Sequence, residues 1–303
     1  MPIYLFSVSL AWLIFYAAYY LLLRRERLPV GNRLYLLATF LLGLLLPLLP
    51  AGLLTDWLPA AQLLPAAPGA ETFFATLPEL TVNGSGGTTA AAINWLNIIL
   101  LIGGLLHGLR CGYGLWQINR LHQRAVARRS GTFRLLLLPD LAQPFTFGRN
   151  IFWNPAFDAT SSGAAMLAHE AAHVRQGHTL DLLLVDLAGL LFWWNPLLYA
   201  YRRGLAAQHE FAADAAAARV SETRAYARLL LTGAVRGSAP RPAHTFFSSP
   251  LKQRITMLTS PKGASWKLLL TLPLLLIALW ACNQDSDMTG QRLLDVEPQE
   301  PLA

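Results

Sequence analysis

Residues 169–173 read His169-Glu170-Ala171-Ala172-His173. Two imidazoles four positions apart on a helix share a face, so both rings can converge on one metal ion. Glu170 sits one position round from His169. It cannot join the pair there, but it can reach a water held in the ion's open position. This is the HExxH pattern, two ligands and a general base within one helical turn, and the chemistry it allows is zinc-dependent hydrolysis. Taken alone, the pentapeptide also fits a core helix carrying two satisfied histidines.

Zinc needs a third protein ligand, and the second half of the site lies at 209–214, His-Glu-Phe-Ala-Ala-Asp. Glu210 and Asp214 share a helix face. Glu210 is the expected third ligand. Asp214 is suited to accept the ring N–H of a liganding histidine and fix its metal-binding tautomer. A solvated acidic face is the alternative, but the surrounding helix is alanine-rich and apolar, with only these two acids. An oxyanion donor is also needed, and His209, His178 and Arg203 are the candidates. His107, His122 and His244 receive no role.

The metal motif requires a helix. Ser161-Ser162-Gly163 offers a start, Ala164 to Ala168 are good helix formers, and Gly177 offers a stop. Upstream, Thr132–Leu138 and Phe145–Trp153 read as strands, the second broken around Gly148-Arg149-Asn150. Such a sheet could offer an edge to an extended substrate, or merely cover the core. Downstream, Thr179 can cap a helix over Leu180–Trp194, read as buried or interfacial, with Asp181 and Asp186 embedded in it. Asn195-Pro196 opens the helix of Glu210, with Asn as N-cap and Pro in the first turn. Residues 196–236 are expected to be helical, and Gly237–Pro250 is a loop.

The 303 residues are 54% hydrophobic and only 14% charged, with a mean hydropathy of +0.39, too apolar for an ordinary soluble enzyme. The net charge of +7 does not point to nucleic acid, because the basic residues cluster beside apolar runs. Ile3–Leu23, Leu34–Leu54 and Ile93–Leu109 are long enough to cross a bilayer. Arg24, Arg25, Arg27 and Arg33 follow the first run, and Arg110, Arg120, Arg124, Arg128 and Arg129 follow the third. The loop 55–92 is acidic and holds the linker Asn83–Gly87. The positive-inside rule then places the N-terminus outside and the zinc motif in the cytoplasm. Residues 110–130 read as a basic amphipathic helix near the membrane surface. Lys252, Arg254, Lys262 and Lys267 precede a fourth run, Leu268–Cys282, and an acidic, disordered tail.

The expected fold is therefore mainly α and integral to the membrane. A three-span region, 1–109, leads. A cytoplasmic α+β zincin-like metallopeptidase domain, 110–264, is inserted before the fourth transmembrane helix, 265–282, and the tail 283–303 lies outside. The two cysteines fall on opposite faces, Cys111 inside and Cys282 outside, so they cannot pair within one chain. Leu279-Trp280-Ala281-Cys282 is a lipoprotein-like box, but it follows an internal span and is read as accidental.

With these pieces in order, the chain resembles the BlaR/MecR-type membrane metallopeptidases, the gluzincin-like antirepressor family of bacteria. The resemblance covers roughly residues 1–282. It rests on the three leading spans, the run His169-Glu170-Ala171-Ala172-His173-Val174-Arg175-Gln176-Gly177-His178, Asn195-Pro196, Glu210 to Asp214, and a fourth span. Pro144–Gly148 also looks like this family's segment ahead of the metal helix. Heat-shock and prenyl-protein membrane peptidases share a similar core, and the three leading spans favour the antirepressor family over them.

The resemblance implies a signal-transducing zinc endopeptidase of the bacterial inner membrane that cleaves a cytoplasmic protein such as a DNA-binding repressor, or itself. Direct nucleic-acid binding is not expected, and a homodimer stays open. The tail is short and no penicillin-binding domain follows the last span, so covalent beta-lactam sensing is not expected. Gly237–Pro250 would suit self-cleavage. A quality-control membrane protease and a non-enzymatic receptor with structural zinc are the alternatives, the second disfavoured because a structural site needs no Glu170.

Overall fold

The computed structural model describes residues 2–48, 95–236, 251–261 and 263–271. The molecule is mainly helical with one small sheet. Helix α1 (Pro2–Ala18) widens into a π-helical turn over Tyr19–Leu23, and α2 (Pro29–Leu45) returns alongside it. The second apolar helix thus starts earlier than the expected Leu34. Pro29 pre-sets the first turn, and Arg33 is accommodated inside the helix by an ion pair with Asp181.

Helix α3 runs unbroken over Trp95–Arg124. The expected separate helix at 110–130 is corrected. Its first part continues α3, and Val126–Ser130 is instead strand β1, paired antiparallel with β2 (Phe133–Leu137). Three helical stretches, Tyr4–Leu23, Pro29–Leu48 and Asn97–Arg124, are long and apolar enough to cross a membrane. The outer loop 55–92, the self-cleavage loop 237–250, most of the fourth run Leu268–Cys282 and the tail 283–303 lie outside the described residues.

Strands β3 (Phe145–Phe147) and β4 (Asn150–Trp153) complete a sheet of order β1-β2-β4-β3, with β2 and β4 parallel. Both hairpins turn on two residues headed by a glycine, Gly131 (φ 57°) and Gly148 (φ 59°). No other residue type among those described has positive φ, which makes both turns of the II′ kind that matches strand twist. Ile151 and Trp153 face α4 (Gly163–Gln176), packing with Ala171 and Met166.

Gly177, at φ 67°, ends α4 and leads directly into α5 (His178–Phe192). Thr179 is therefore not the cap expected of it. It lies inside the first turn, and its hydroxyl accepts from the Gly148 N–H at 2.9 Å, tying the β3–β4 turn to α5. Asn195 does cap α6 (Pro196–Ala217), its side-chain oxygen accepting from the Leu197 N–H at 2.9 Å. The helical stretch expected to 236 breaks after Ala217 and resumes as α7 (Thr223–Arg236), and α8 (Leu251–Thr259) follows.

The largest core joins the apolar N-terminal helices to α5 and α6. Trp12 stacks on Phe40 at 4.7 Å, and Phe192, Tyr201 and Leu205 close around them. Trp12 donates to the Phe40 carbonyl at 3.0 Å, so its one polar atom is satisfied in an apolar core.

Candidate metal centre

Helix α4 supplies His169 and His173, and the antiparallel α6 supplies Glu210. One ligand atom from each lies within 4.8 Å of the others. The two Nε2 atoms are 3.3 Å apart, and the Glu210 carboxylate is 3.7 Å from His169 and 3.9 Å from His173. Three nitrogen and oxygen donors aimed at one point are what a metal ion requires, and the two imidazoles with one carboxylate suit zinc.

The backing of each histidine supports the fit. His169 Nδ1 lies 2.9 Å from the Tyr226 hydroxyl and 3.3 Å from Asp214, so Nδ1 carries the proton and Nε2 is left for an ion. Tyr226 in turn donates to Asp214 at 2.8 Å. His173 Nδ1 lies 2.8 Å from His178 Nδ1, whose other nitrogen is 3.2 Å from the Gln176 side-chain oxygen. A single chain of donors satisfies all three groups. His173 Nδ1–H donates to His178, and His178 Nε2–H donates to Gln176.

Asp214 lies behind one of the two histidines, His169, but it is not alone there. Arg254 of α8 donates from Nε to Asp214 Oδ2 at 2.8 Å, and its Nη1 is 2.8 Å from Glu210 Oε2. Burial alone would push the Asp214 carboxyl up. The Arg254 fork and the bond to His169 outweigh it and hold Asp214 well below the usual carboxylate range. Burial likewise favours a neutral His169, but the Asp214 bond and the Glu210, Glu170 and Asp214 charges prevail and raise its pKa.

Glu170 is buried on the same helix, and its carboxylate accepts from the Thr146 hydroxyl at 2.8 Å. Thr146 belongs to β3, the edge strand beside α4, and its hydroxyl is also 3.1 Å from the Glu170 carbonyl. Of the three residues considered as oxyanion donors, the two histidines stand away from the Nε2 side of the ligand pair. His178 stands behind His173, and His209 stacks on His178 at 4.0 Å while its Nε2 lies 2.7 Å from Asp181. Arg203 is exposed about two turns before Glu210.

Four residues of this surrounding shell were not singled out from the sequence: Tyr226, Arg254, Thr146 and Arg33. Arg254 read as a basic flank of the last apolar run. Thr146 carried a signal only through the stretch Pro144–Gly148. Arg33 read as part of the basic loop after the first run, and Tyr226 carried no signal.

A comparison with curated proteins finds no match. The family described as BlaR1 peptidase M56 matches residues 141–258. That segment runs from just before β3 to Leu258 of α8, and it contains the HExxH helix, Glu210, Asp214, Tyr226 and Arg254. Over those residues the chain is similar to the BlaR1-type M56 peptidases, which indicates a metallopeptidase.

Proposed function

We propose that the chain is a membrane-embedded zinc endopeptidase that transduces a signal by hydrolysing a cytoplasmic protein, a DNA-binding repressor or its own chain. The observation that carries this reading is the convergence of His169, His173 and Glu210 with Glu170 on the same helical turn. The three apolar helices support a multi-pass inner-membrane protein, to which the fourth run adds a further span. The Arg24–Leu28 loop and the peptidase segment lie at one end of α1 and α2, since Arg27 bonds the Ser260 carbonyl and Glu26 bonds the Ala264 N–H. The basic loop and the catalytic centre therefore share a side, in keeping with a cytoplasmic site.

His169, His173 and Glu210 would hold the ion, which supplies a Lewis acid for the scissile carbonyl and lowers the pKa of water towards neutrality. Glu170 takes the proton of the attacking water on its carboxylate and delivers it to the nitrogen of the leaving amine. Thr146 fixes one Glu170 oxygen and so orients the other. As the edge strand, β3 can align an extended substrate by pairing with it, next to the base that its own Thr146 holds.

The test is zinc content and cleavage by detergent-purified full-length wild type beside Glu170→Gln, with a candidate repressor as substrate and self-cleavage monitored. Equal zinc with cleavage only by wild type is expected. Cleavage at wild-type rate by zinc-loaded Glu170→Gln would overturn the assignment of the base.

A further inference from the structure

Helix α5 is largely apolar around its circumference, yet one side of it is left open. His178, Asp181, Val185 and Phe192 face inward against α6, α1 and α2, and Gly189 and Leu190 pack against α3 at His107, Gly104 and Gly108. Leu180, Leu183, Leu187, Leu191 and Trp194 face outward, with Leu180 70%, Leu187 64% and Leu191 61% exposed. A helix that is hydrophobic all round belongs in a protein interior or in a bilayer. Nothing among the described residues of this chain covers the outer face.

Three contacts fix the depth of the α5–α6 turn against helices able to cross a membrane. Asn195, in the turn itself, donates to the Ser9 hydroxyl of α1 at 2.9 Å. Trp193 donates to the Leu100 carbonyl of α3 at 3.1 Å. At the other end of α6, Gln208 donates to the Tyr19 hydroxyl at 2.9 Å. Ser9 lies fourteen residues, about 21 Å of helix, from the Leu23 end of the first apolar stretch. Glu210 lies as far along α6 from the turn, which sets the metal ligands level with the Arg24–Leu28 loop. A small cavity lined by Glu26, Arg27, Phe211, Asp214 and Arg254 agrees with that level.

Each of the two acids of α5 is paired with an arginine. Arg202 of α6 forks Asp186 of α5 at 2.6 and 3.1 Å. Arg33 forks Asp181 at 2.7 and 3.1 Å. Charges at membrane depth are tolerated when they face the bundle and pair with one another. On α3, the exposed aromatics Tyr113 and Trp116 stack at 5.7 Å, with Arg120 over the Trp116 ring, the kind of belt that marks a membrane surface.

We infer that α5 and α6 form a re-entrant hairpin that enters the bilayer from the loop end of α1 and α2, turns at Asn195-Pro196 and returns. The partner of the Leu180–Trp194 face is the acyl-chain layer, and the metal centre sits at the membrane face, where it meets substrate segments lying next to the bilayer. The inference rests on the reading of α1–α3 as spans.

The test uses full-length protein in vesicles of phosphatidylethanolamine and phosphatidylglycerol, with Cys111→Ser and Cys282→Ser as background. Leu187→Cys and Leu191→Cys are spin-labelled, and relaxation by oxygen is compared with relaxation by a water-soluble nickel chelate. Leu13→Cys on α1 and Leu105→Cys on α3 serve as lipid references and Asp140→Cys as a water reference, with zinc content verifying each fold. Residues 187 and 191 are expected to match 13 and 105, with an oxygen-to-nickel ratio several-fold above that of 140. Nickel access at 187 and 191 with 13 and 105 still lipid-like would overturn the hairpin. Nickel access at all four would overturn the span reading and the hairpin with it.

Discussion

Arg254 grips Asp214 from forty residues further along the chain, its Nε on one carboxylate oxygen at 2.8 Å and its Nη2 on the other. The same guanidinium touches Glu210, so one side chain sets a ligand and the group behind another ligand. Removing one partner of a buried pair strands the other charge. Arg254→Met is expected to weaken zinc binding by about 10- to 100-fold, the usual cost of losing an outer-shell partner. Arg254→Lys is expected to recover only part of that, because an ammonium cannot fork a carboxylate. A competition titration with a zinc chelator reads both, and unchanged affinity in Arg254→Met would remove its orienting role.

Tyr226 joins His169 to Asp214 through one hydroxyl. Tyr226→Phe keeps the ring and deletes that bridge, at a cost of about 1.5–3 kcal/mol for one hydrogen bond to a carboxylate that keeps its Arg254 fork. Zinc affinity should fall by about tenfold, at the low end of the outer-shell range. The thermal midpoint of the zinc-free protein measures the structural share of the effect separately.

Thr146 holds the Glu170 carboxylate. Thr146→Val is nearly isosteric but removes the donor, so zinc content should stay unchanged while kcat falls by about tenfold, a fraction of what general acid–base catalysis contributes. Thr146→Ser should restore it. Equal losses in the Val and Ser variants would assign Thr146 to packing rather than to orientation of the base.

Proton competition gives a pH signature. His169 must be neutral to bind an ion, and in the zinc-free protein its pKa is raised by the surrounding carboxylates. A raised value means protonation begins at higher pH than for an ordinary histidine, about 6.5. Zinc affinity should therefore already be declining as pH falls towards that value. Asp214→Asn removes one of the charges that raise His169, so the decline should move to lower pH. Zinc dissociation constants across the pH range test both statements.

Helices α3 and α5 meet through glycine. A Cβ at Gly104 would stand 2.4 Å from the Leu190 carbonyl oxygen, a backbone atom that no rotamer change can move. Gly104→Ala should force the helices apart and destabilise the protein by about 1–3 kcal/mol, as overpacking does. At Gly112 a Cβ meets nothing within 4 Å, so Gly112→Ala is the matched control and should be neutral or stabilising in thermal unfolding.

Features written into consecutive residues were legible in the sequence. Gly177 stops α4, Asn195-Pro196 starts α6, and the i, i+4 spacing of His169 with His173 declares a shared face because each depends on one helix alone. Arg254 and Tyr226 were not legible, since nothing local marks a guanidinium or a phenol that acts across 40 or 57 positions. Val126–Ser130 misled for a related reason. Its basic, polar residues carry no strand pattern, and it becomes a strand only by pairing with β2 across the Gly131 turn. Asp181 and Asp186 counted against membrane depth while they looked like bare charges. Their partners, Arg33 and Arg202, come from other helices.

The packing of Trp12, Phe40, Phe192 and Tyr201 into one cluster bears on modularity. The segment that carries the peptidase motifs does not own the largest core, since α1 and α2 pack against α5 and α6 there. Arg33 also holds the carbonyl of Gln176, the last residue of the metal-bearing helix, at 2.6 Å. A fragment cut at 110 and 264 would keep every ligand and lose that wall, exposing aromatic surface that drives aggregation. The N-terminal helices and the peptidase segment share one core, so deletions at the N-terminus should abolish metal binding more than a hundred residues away.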